Sequence, residues 1–145
     1  MKLIQLTDRA EVAKLYDVYK HCMYMPTQEK FNKKVDAFLK DDSIKIFACL
    51  YNDEFKGVVV ASFTEDNKAE IVGISVDESV RNKGIGSFMI KELPADSLYA
   101  ETDDEAVGFY RKNGFAVTKF LENYDGETVT RYKCELLLCG SKTTL

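Results

Sequence analysis

Val76-Asp77-Glu78-Ser79-Val80-Arg81-Asn82-Lys83-Gly84-Ile85-Gly86-Ser87 is the stretch on which the reading of this chain turns. An apolar run over residues 71–76 leads into it, and a run with helical character over residues 87–93 leads out. The pattern is a strand, a loop with two glycines one residue apart, and a helix start. The first turn of a helix carries backbone N–H groups with no intrahelical partner, and the helix dipole places partial positive charge there. Such a terminus holds phosphate. Gly84 and Gly86 have no Cβ, so an anion can come close to the backbone, and Arg81 and Lys83 add full charge to the same loop.

The loop is not a Walker A motif, because no Lys-Ser or Lys-Thr follows its second glycine. It is not the dinucleotide fingerprint either, because Met89 stands where the third glycine belongs. A plain glycine-rich turn remains open for the loop taken alone.

Composition narrows the classes. A chain of 145 residues is one domain by length and is ordinary in composition for a soluble globular protein. It has no apolar run near ~18 residues, so no membrane span is expected, and its first residues lack a signal peptide's apolar stretch. The net charge of −4 argues against nucleic acid as the main partner and favours cationic substrates such as amines. Cys22, Cys49, Cys134 and Cys139 include no Cys-x-x-Cys pair, and His21 is the single histidine. Cys49 and Cys134 read as small apolar strand residues in a reducing cytosol, so the expected location is cytoplasmic. His21 reads as a helix-end residue that complements the dipole.

Residues 3–6 read as a short strand. Asp8 with Glu11 forms a capping-box pattern, followed by Val12, Leu15, Tyr16 and Tyr19 at helical spacing. After Pro26, Thr27 caps a second helix whose apolar face is Phe31, Val35 and Phe38, with Lys30, Lys33, Lys34 and Lys40 in solvent. Strands at 44–51, 55–64 and 69–76 are separated by polar turns and suggest an antiparallel meander. A helix to about residue 92 and a short strand at 97–101 follow. Thr102 with Glu105 repeats the capping box and opens a helix to Asn113, which Gly114 ends as a left-handed cap. Residues 115–121 and 128–138 form a last hairpin around Asp125-Gly126, and residues 139–145 read as a loose tail. The order is β-α-α-β-β-β-α-β-α-β-β. It predicts an α+β domain with a mixed, mostly antiparallel sheet of about seven strands and four helices.

Phe109-Tyr110-Arg111-Lys112-Asn113-Gly114-Phe115 is a second motif, read as helix, glycine stop, strand. On these residues alone Tyr110 could simply pack on the core. Taken together, Arg-x-x-Gly-x-Gly after a strand and Tyr-x-x-x-Gly-Phe resemble two segments of the GNAT N-acetyltransferase superfamily. The order of elements resembles that fold along nearly the whole chain.

The resemblance implies an acetyl-CoA-dependent N-acetyltransferase. The fourth strand would splay from the fifth, and pantetheine would pair with the fourth-strand backbone at Ile74, Ser75 and Val76. The Ile74 N–H would polarise the thioester carbonyl. The pyrophosphate would rest on the N–H groups of Arg81, Asn82, Lys83, Gly84, Ile85, Gly86 and Ser87. Asp103 stands where the family often has a cofactor-contacting Asn. An anionic side chain suits that place poorly unless it caps the helix instead. Tyr110 aligns with the tyrosine that, in many members, protonates the departing thiolate.

That transfer, from a phenol of pKa about 10 to a thiolate of pKa about 8.5, runs uphill by about 2 kcal/mol. The hydroxyl's main contribution is then a hydrogen bond to charge developing on sulfur. Glu70, within Ala69-Glu70-Ile71-Val72, resembles the catalytic glutamate of the histone-acetyltransferase branch, a role that calls for a buried carboxyl. An amine of pKa about 10.4 is neutral in only about one molecule in 2,500 at pH 7, a handicap of about 4.6 kcal/mol, so a base is needed. A surface carboxylate beside Lys68 is the other reading of Glu70, and a water relay the other base. Tyr24 and Tyr124 lie in segments that usually line the acceptor pocket.

The expected reaction moves acetyl to a small-molecule or peptide amine by direct attack in a ternary complex, with no metal and no membrane partner, in a monomer or homodimer. A non-catalytic acyl-CoA-binding module is the competing reading. It predicts ligand binding without release of CoA.

Overall fold

The computed structural model describes residues 1–138. Cys139 and the tail read at residues 139–145 lie outside the described residues. The strands are β1 (Lys2–Leu6), β2 (Ile44–Tyr51), β3 (Glu54–Phe63), β4 (Lys68–Val76), β5 (Ser97–Thr102), β6 (Ala116–Tyr124) and β7 (Glu127–Leu137). They form one mixed sheet in the order β1-β2-β3-β4-β5-β7-β6, the α+β architecture expected. The helices are α1 (Arg9–Ala13), α2 (Tyr16–Tyr19), α3 (Gln28–Lys40), α4 (Ile85–Glu92) and α5 (Val107–Lys112). The packing of the described residues divides into two compact units, Met1–Thr64 with Ile71–Leu93, and Glu65–Glu70 with residues 94–138.

In the first unit, β1, β2 and β3 are antiparallel, joined by Leu3↔Cys49 and Ala48↔Val58 among other pairs. Asn52 and Asp53 turn β2 into β3 with φ of 52° and 65°, the left-handed geometry of a tight hairpin. One sheet face carries Ile46, Ala48, Val58 and Val60 against Val12, Leu15, Val18, Tyr19, Phe31, Val35 and Phe38. Alternation turns Gly57 to the other face, where α4 packs: a Cβ on Gly57 would meet Ile85 Cγ2 at 2.8 Å. The second helix forms as read, with Thr27 Oγ1 accepting from Lys30 N–H at 3.1 Å and the Phe31, Val35, Phe38 face buried.

The first helix differs from its reading. It is split into α1 and α2 with a 3₁₀ turn at Lys20–Cys22, so the described residues hold five α-helices where four were expected. The Asp8 side chain makes no capping bond. Lys14 and Leu15 donate to Glu11 and Val12, tight i→i−3 bonds that interrupt the α-helical ladder.

In the second unit, β5 pairs antiparallel with β7, and β7 with β6. Asp125 and Gly126 close the last hairpin with φ of 48° and 82°. The start of β4 runs parallel to β5, with Lys68, Ala69 and Glu70 opposite Ser97, Leu98 and Tyr99. Leu98, Ala100, Val107, Tyr110, Phe115, Tyr132 and Cys134 are buried. Gly114 has φ +85°, the left-handed stop expected after α5.

The start of α5 corrects the second capping box. Thr102 belongs to β5, is buried and pairs with Tyr132. Asp103 instead caps the turn ahead of α5: its Oδ1 accepts from Glu105 and Ala106 N–H at 3.0 Å each.

Candidate active site

The C-terminal end of β4 positions the glycine loop. Asp77 N–H donates to Lys56 O at 2.8 Å, which fixes the edge of β4 facing β3. Successive N–H groups of a strand alternate edges, so those of Val76 and Ile74 turn to the opposite edge. The chain then makes a 3₁₀ turn at Glu78–Val80. The Asp77 carboxylate accepts from Ser79 N–H at 2.9 Å and Ser79 Oγ at 2.6 Å, and these bonds hold it below the usual carboxylate range.

Gly84 caps α4 with φ +80°, and a Cβ there would meet nothing within 4 Å. The first helical bond is Phe88 N–H to Gly84 O at 2.9 Å. The N–H groups of Ile85, Gly86 and Ser87 therefore precede the ladder, as donors at the positive end of the dipole. Arg81, Asn82, Lys83 and Gly84 are exposed, while Ile85 and Gly86 are buried against the sheet. Asn82 also has positive φ, 65°. The loop is thus an open turn that combines two exposed cationic residues with amides outside the helical ladder, a composition suited to a polyanion.

The helical segment before Pro26 lies directly on β4. A Cβ on Gly73 would stand 2.3 Å from the Tyr19 hydroxyl oxygen, so the tyrosine rests against bare strand backbone. Ser75 Oγ donates to Val18 O at 2.7 Å, across 57 residues of sequence. The Ser75 side chain is therefore buried and committed to this contact. Cys22 Sγ donates to Tyr19 O at 3.2 Å. Burial drives the Tyr19 phenol far above its ordinary range, and the adjacent Cys22 adds to this. Cys22 is exposed as a residue, yet desolvation of its sulfur pushes the thiol up to about 11. Weaker opposing effects come from the Tyr19 hydroxyl, the Cys22 and Ile74 backbone amides and the charge of Lys34. His21 Nδ1 lies 3.4 Å from Glu78 Oε1, which ties the Lys20–Cys22 turn to the start of the glycine loop.

None of Tyr19, Cys22 and Gly73 stands out as a site residue in the sequence. The one local signal is a glycine inside a strand, which marks close approach by another group.

In the second unit, Glu70 is exposed, which corrects the buried carboxyl that its base role calls for. Its neighbours Ala69 and Ile71 are buried, and strict alternation turns Glu70 outward. It lies opposite Tyr99, whose hydroxyl bonds Glu101. Desolvation, that bond and the charges of Glu101, Glu70 and Glu135 push Tyr99 up to about 12.

Tyr110 is buried, its ring set edge-on to Phe109 at 5.2 Å and to Phe115 at 5.1 Å between centroids. Asp103, expected at a cofactor contact, has its Oδ1 engaged by the Glu105 and Ala106 N–H groups. Tyr24 in the first unit and Tyr124 in the second are exposed.

Comparison with known proteins agrees with this geometry. The model of the acetyltransferase (GNAT) family matches residues 12–115. An uncharacterised N-acetyltransferase of Bacillus subtilis, YvbK, is 33% identical over 106 residues, 63% of this chain and 67% of that protein. An aminoglycoside 6'-acetyltransferase type Ii superposes with a TM-score of 0.77 at 19% identity, covering 97% of this chain and 99% of its own. A Bacillus subtilis acetyltransferase in complex with CoA superposes with a TM-score of 0.67 at 21% identity, covering 94% and 98%. With its strand–loop–helix anion cradle and a family match that runs from α1 to the end of α5, the chain belongs to the GNAT acetyltransferase family.

Proposed function

We propose that the protein transfers an acetyl group from acetyl-CoA to a primary amine by direct attack within a ternary complex. The carrying observation is the Gly84 loop: a left-handed glycine with open space at its missing Cβ, three free amides after it, and exposed Arg81 and Lys83 beside it. The pyrophosphate of CoA suits that cradle. The outward N–H groups of Ile74 and Val76 would take pantetheine as an added strand, and that of Ile74 would polarise the thioester carbonyl. The CoA bound to a structural neighbour supports the cofactor.

Tyr110 would stabilise the departing sulfur with a hydrogen bond. Its ring is already fixed by Phe109 and Phe115, so Tyr110→Phe should keep the packing and lower kcat about tenfold or more, with acetyl-CoA binding little changed. Glu70, exposed, would serve as base only toward an acceptor bound at the surface. Glu70→Gln should then flatten the acidic side of the pH–rate profile, and a normal profile would remove it from the mechanism. The acceptor would be a small cationic amine, with Tyr24 or Tyr124 as apolar contacts. Small acceptors are consistent with the aminoglycoside enzyme among the structural neighbours.

The test is a screen of amine pools with acetyl-CoA, read by release of free thiol and then by product mass. Binding of CoA with no thiol release across polyamines, aminoglycosides, amino acids and peptides would reject transfer in favour of a binding module.

A further inference from the structure

A helix of six residues does not hold its own place: nucleation is unfavourable, and short helices draw their stability from packing. α5 is such a helix, and it carries Tyr110. Phe109 and Phe115 stand edge-on to the Tyr110 ring, and Phe115 N–H donates to Tyr110 O at 3.1 Å. Phe109 belongs to α5 and Phe115 lies just past its end, so these contacts travel with the helix. The tie to β7 comes from Tyr132, which is buried opposite Thr102 of β5. Its hydroxyl donates to Asp104 Oδ1 at 2.6 Å, in the turn that leads into α5. Its ring centre lies 5.5 Å from the guanidinium carbon of Arg111, in the last turn of α5 and next to Tyr110. One side chain therefore grips both the entry and the end of α5, and the helix cannot slide along β7 without losing a grip.

A hydrogen bond to a departing sulfur is worth its full value only when length and angle are held. Small misplacements of a reacting group are costly, even when their cause lies far from the chemistry. We propose that Tyr132 is a positioning residue for the transfer, and that its bond to Asp104 and its contact with Arg111 set α5 so that the Tyr110 hydroxyl meets the sulfur of CoA. This rests on the proposed role of Tyr110. Tyr132 would touch neither substrate nor cofactor and would act through Tyr110 alone. The bond to Asp104 raises the Tyr132 phenol above its ordinary value, so its hydroxyl stays a donor through the range in which a thiol titrates.

The experiment needs no acceptor amine. It reads the pH at which the thiol of bound CoA ionises, by NMR of an isotope-labelled carbon beside the sulfur. The proteins are the wild type, Tyr110→Phe, Tyr132→Phe and the double variant. A donor on the sulfur favours the thiolate, so the wild type should ionise CoA below the ordinary thiol value of about 8.5. Tyr110→Phe should raise that pH by about 1–2 units, the worth of a hydrogen bond to a charged group. Tyr132→Phe keeps the ring beside Arg111 and changes no charge, yet should raise it by at least about a third as much. In the Tyr110→Phe background, Tyr132→Phe should add nothing. Asp104 is exposed, so its variants spare the core: Asp104→Asn keeps an acceptor oxygen and should shift the thiol less than Asp104→Ala, although both lose the same charge. If Tyr110→Phe moves the thiol and Tyr132→Phe does not, or moves it equally in both backgrounds, the positioning role is wrong and the role of Tyr110 stands. If Tyr110→Phe leaves the thiol unchanged, the role of Tyr110 fails and this inference fails with it. If calorimetry finds no CoA bound to the folded wild type, the cofactor site itself fails.

Discussion

Adding one methyl group at position 73 tests whether the strand under Tyr19 must be bare. In Gly73→Ala the new Cβ would stand 2.3 Å from the Tyr19 hydroxyl oxygen, 2.8 Å from Cζ and 2.9 Å from Cε2. Ordinary carbon contacts lie at about 3.5–4.0 Å, so the ring must move by an ångström or more. It has little room: Tyr19 is 3% exposed, with its ring 5.5 Å from that of Phe31 and 6.4 Å from that of Phe38.

Overpacking of a filled core costs about 1–3 kcal/mol. The smaller entropy of an unfolded alanine returns about 0.4–1 kcal/mol. A net loss of about 2 kcal/mol follows from the upper part of the first range. For 145 residues at about 2.1 cal/mol/K each, the unfolding entropy is about 0.3 kcal/mol/K, so Tm should fall by about 7 °C. Circular dichroism melts and urea titrations read this directly. Tyr19→Phe removes the atom at 2.3 Å, so its cost should be smaller in the Gly73→Ala background than in the wild type, with a coupling of about 1 kcal/mol. A Gly73→Ala protein that melts within a degree of wild type, or a double mutant whose losses simply add, would refute the contact.

Gly84→Ala and Gly114→Ala should each lose about 1–2 kcal/mol of stability from left-handed strain, since a Cβ meets open space at Gly84 and only Leu136 Cδ1, at 3.8 Å, at Gly114. Only Gly84→Ala should also weaken CoA binding, by about tenfold, as its methyl fills the space through which the anion reaches the backbone amides and a charge-assisted contact is weakened; equal CoA affinity in the two variants would take the loop out of the cofactor site. Thr27→Ala removes the α3 cap and should cost about 1 kcal/mol in urea unfolding, and a neutral result would mean that water replaces the hydroxyl. The Cys22 thiol, pushed up to about 11, is neutral in the folded protein while an unfolded thiol ionises near about 8.5. The unfolded state thus binds fewer protons between those values, so the stability from this group is present below about pH 8.5 and is lost as pH rises toward 11. Alkylation of Cys22 in the folded protein, followed by mass, should be slow at pH 8 and rise toward pH 11, and fast labelling at pH 8 would overturn the desolvated sulfur.

Local chemistry made much of the fold legible. Asn52-Asp53 and Asp125-Gly126 announce their turns, Thr27 its cap and Gly114 its stop, because each acts on backbone within a few residues of itself. The strand–glycine–helix pattern at Gly84 is local in the same sense. The break between α1 and α2 was not readable. Nothing in residues 9–22 is a helix breaker, and the end of α2 is set in part from afar, its Val18 carbonyl being claimed by Ser75, 57 positions away. The second cap moved from Thr102 to Asp103 because pairing with Tyr132 draws Thr102 into β5, and tertiary structure overrides a pattern two motifs can share. The exposure of Glu70 follows from alternation between buried Ala69 and Ile71, a signal present in the sequence but outweighed by the resemblance of that segment to a catalytic strand. The contacts of Tyr19 with Gly73 and of Val18 with Ser75 join residues more than fifty positions apart, and no spacing rule links them.

The clamp of Val18 and Tyr19 on β4 sets a rule for grafting. Acceptor preference in a fold of this kind invites transplanting the first helical region from one relative into another. Here that region carries a partner list: a residue without a side chain at 73 and a hydroxyl at 75. A donor segment with a different residue at 19 would arrive with its footing missing, and the loss would register first in the strand beneath. Chimeras should therefore exchange residues 18–22 and 73–75 as one cassette.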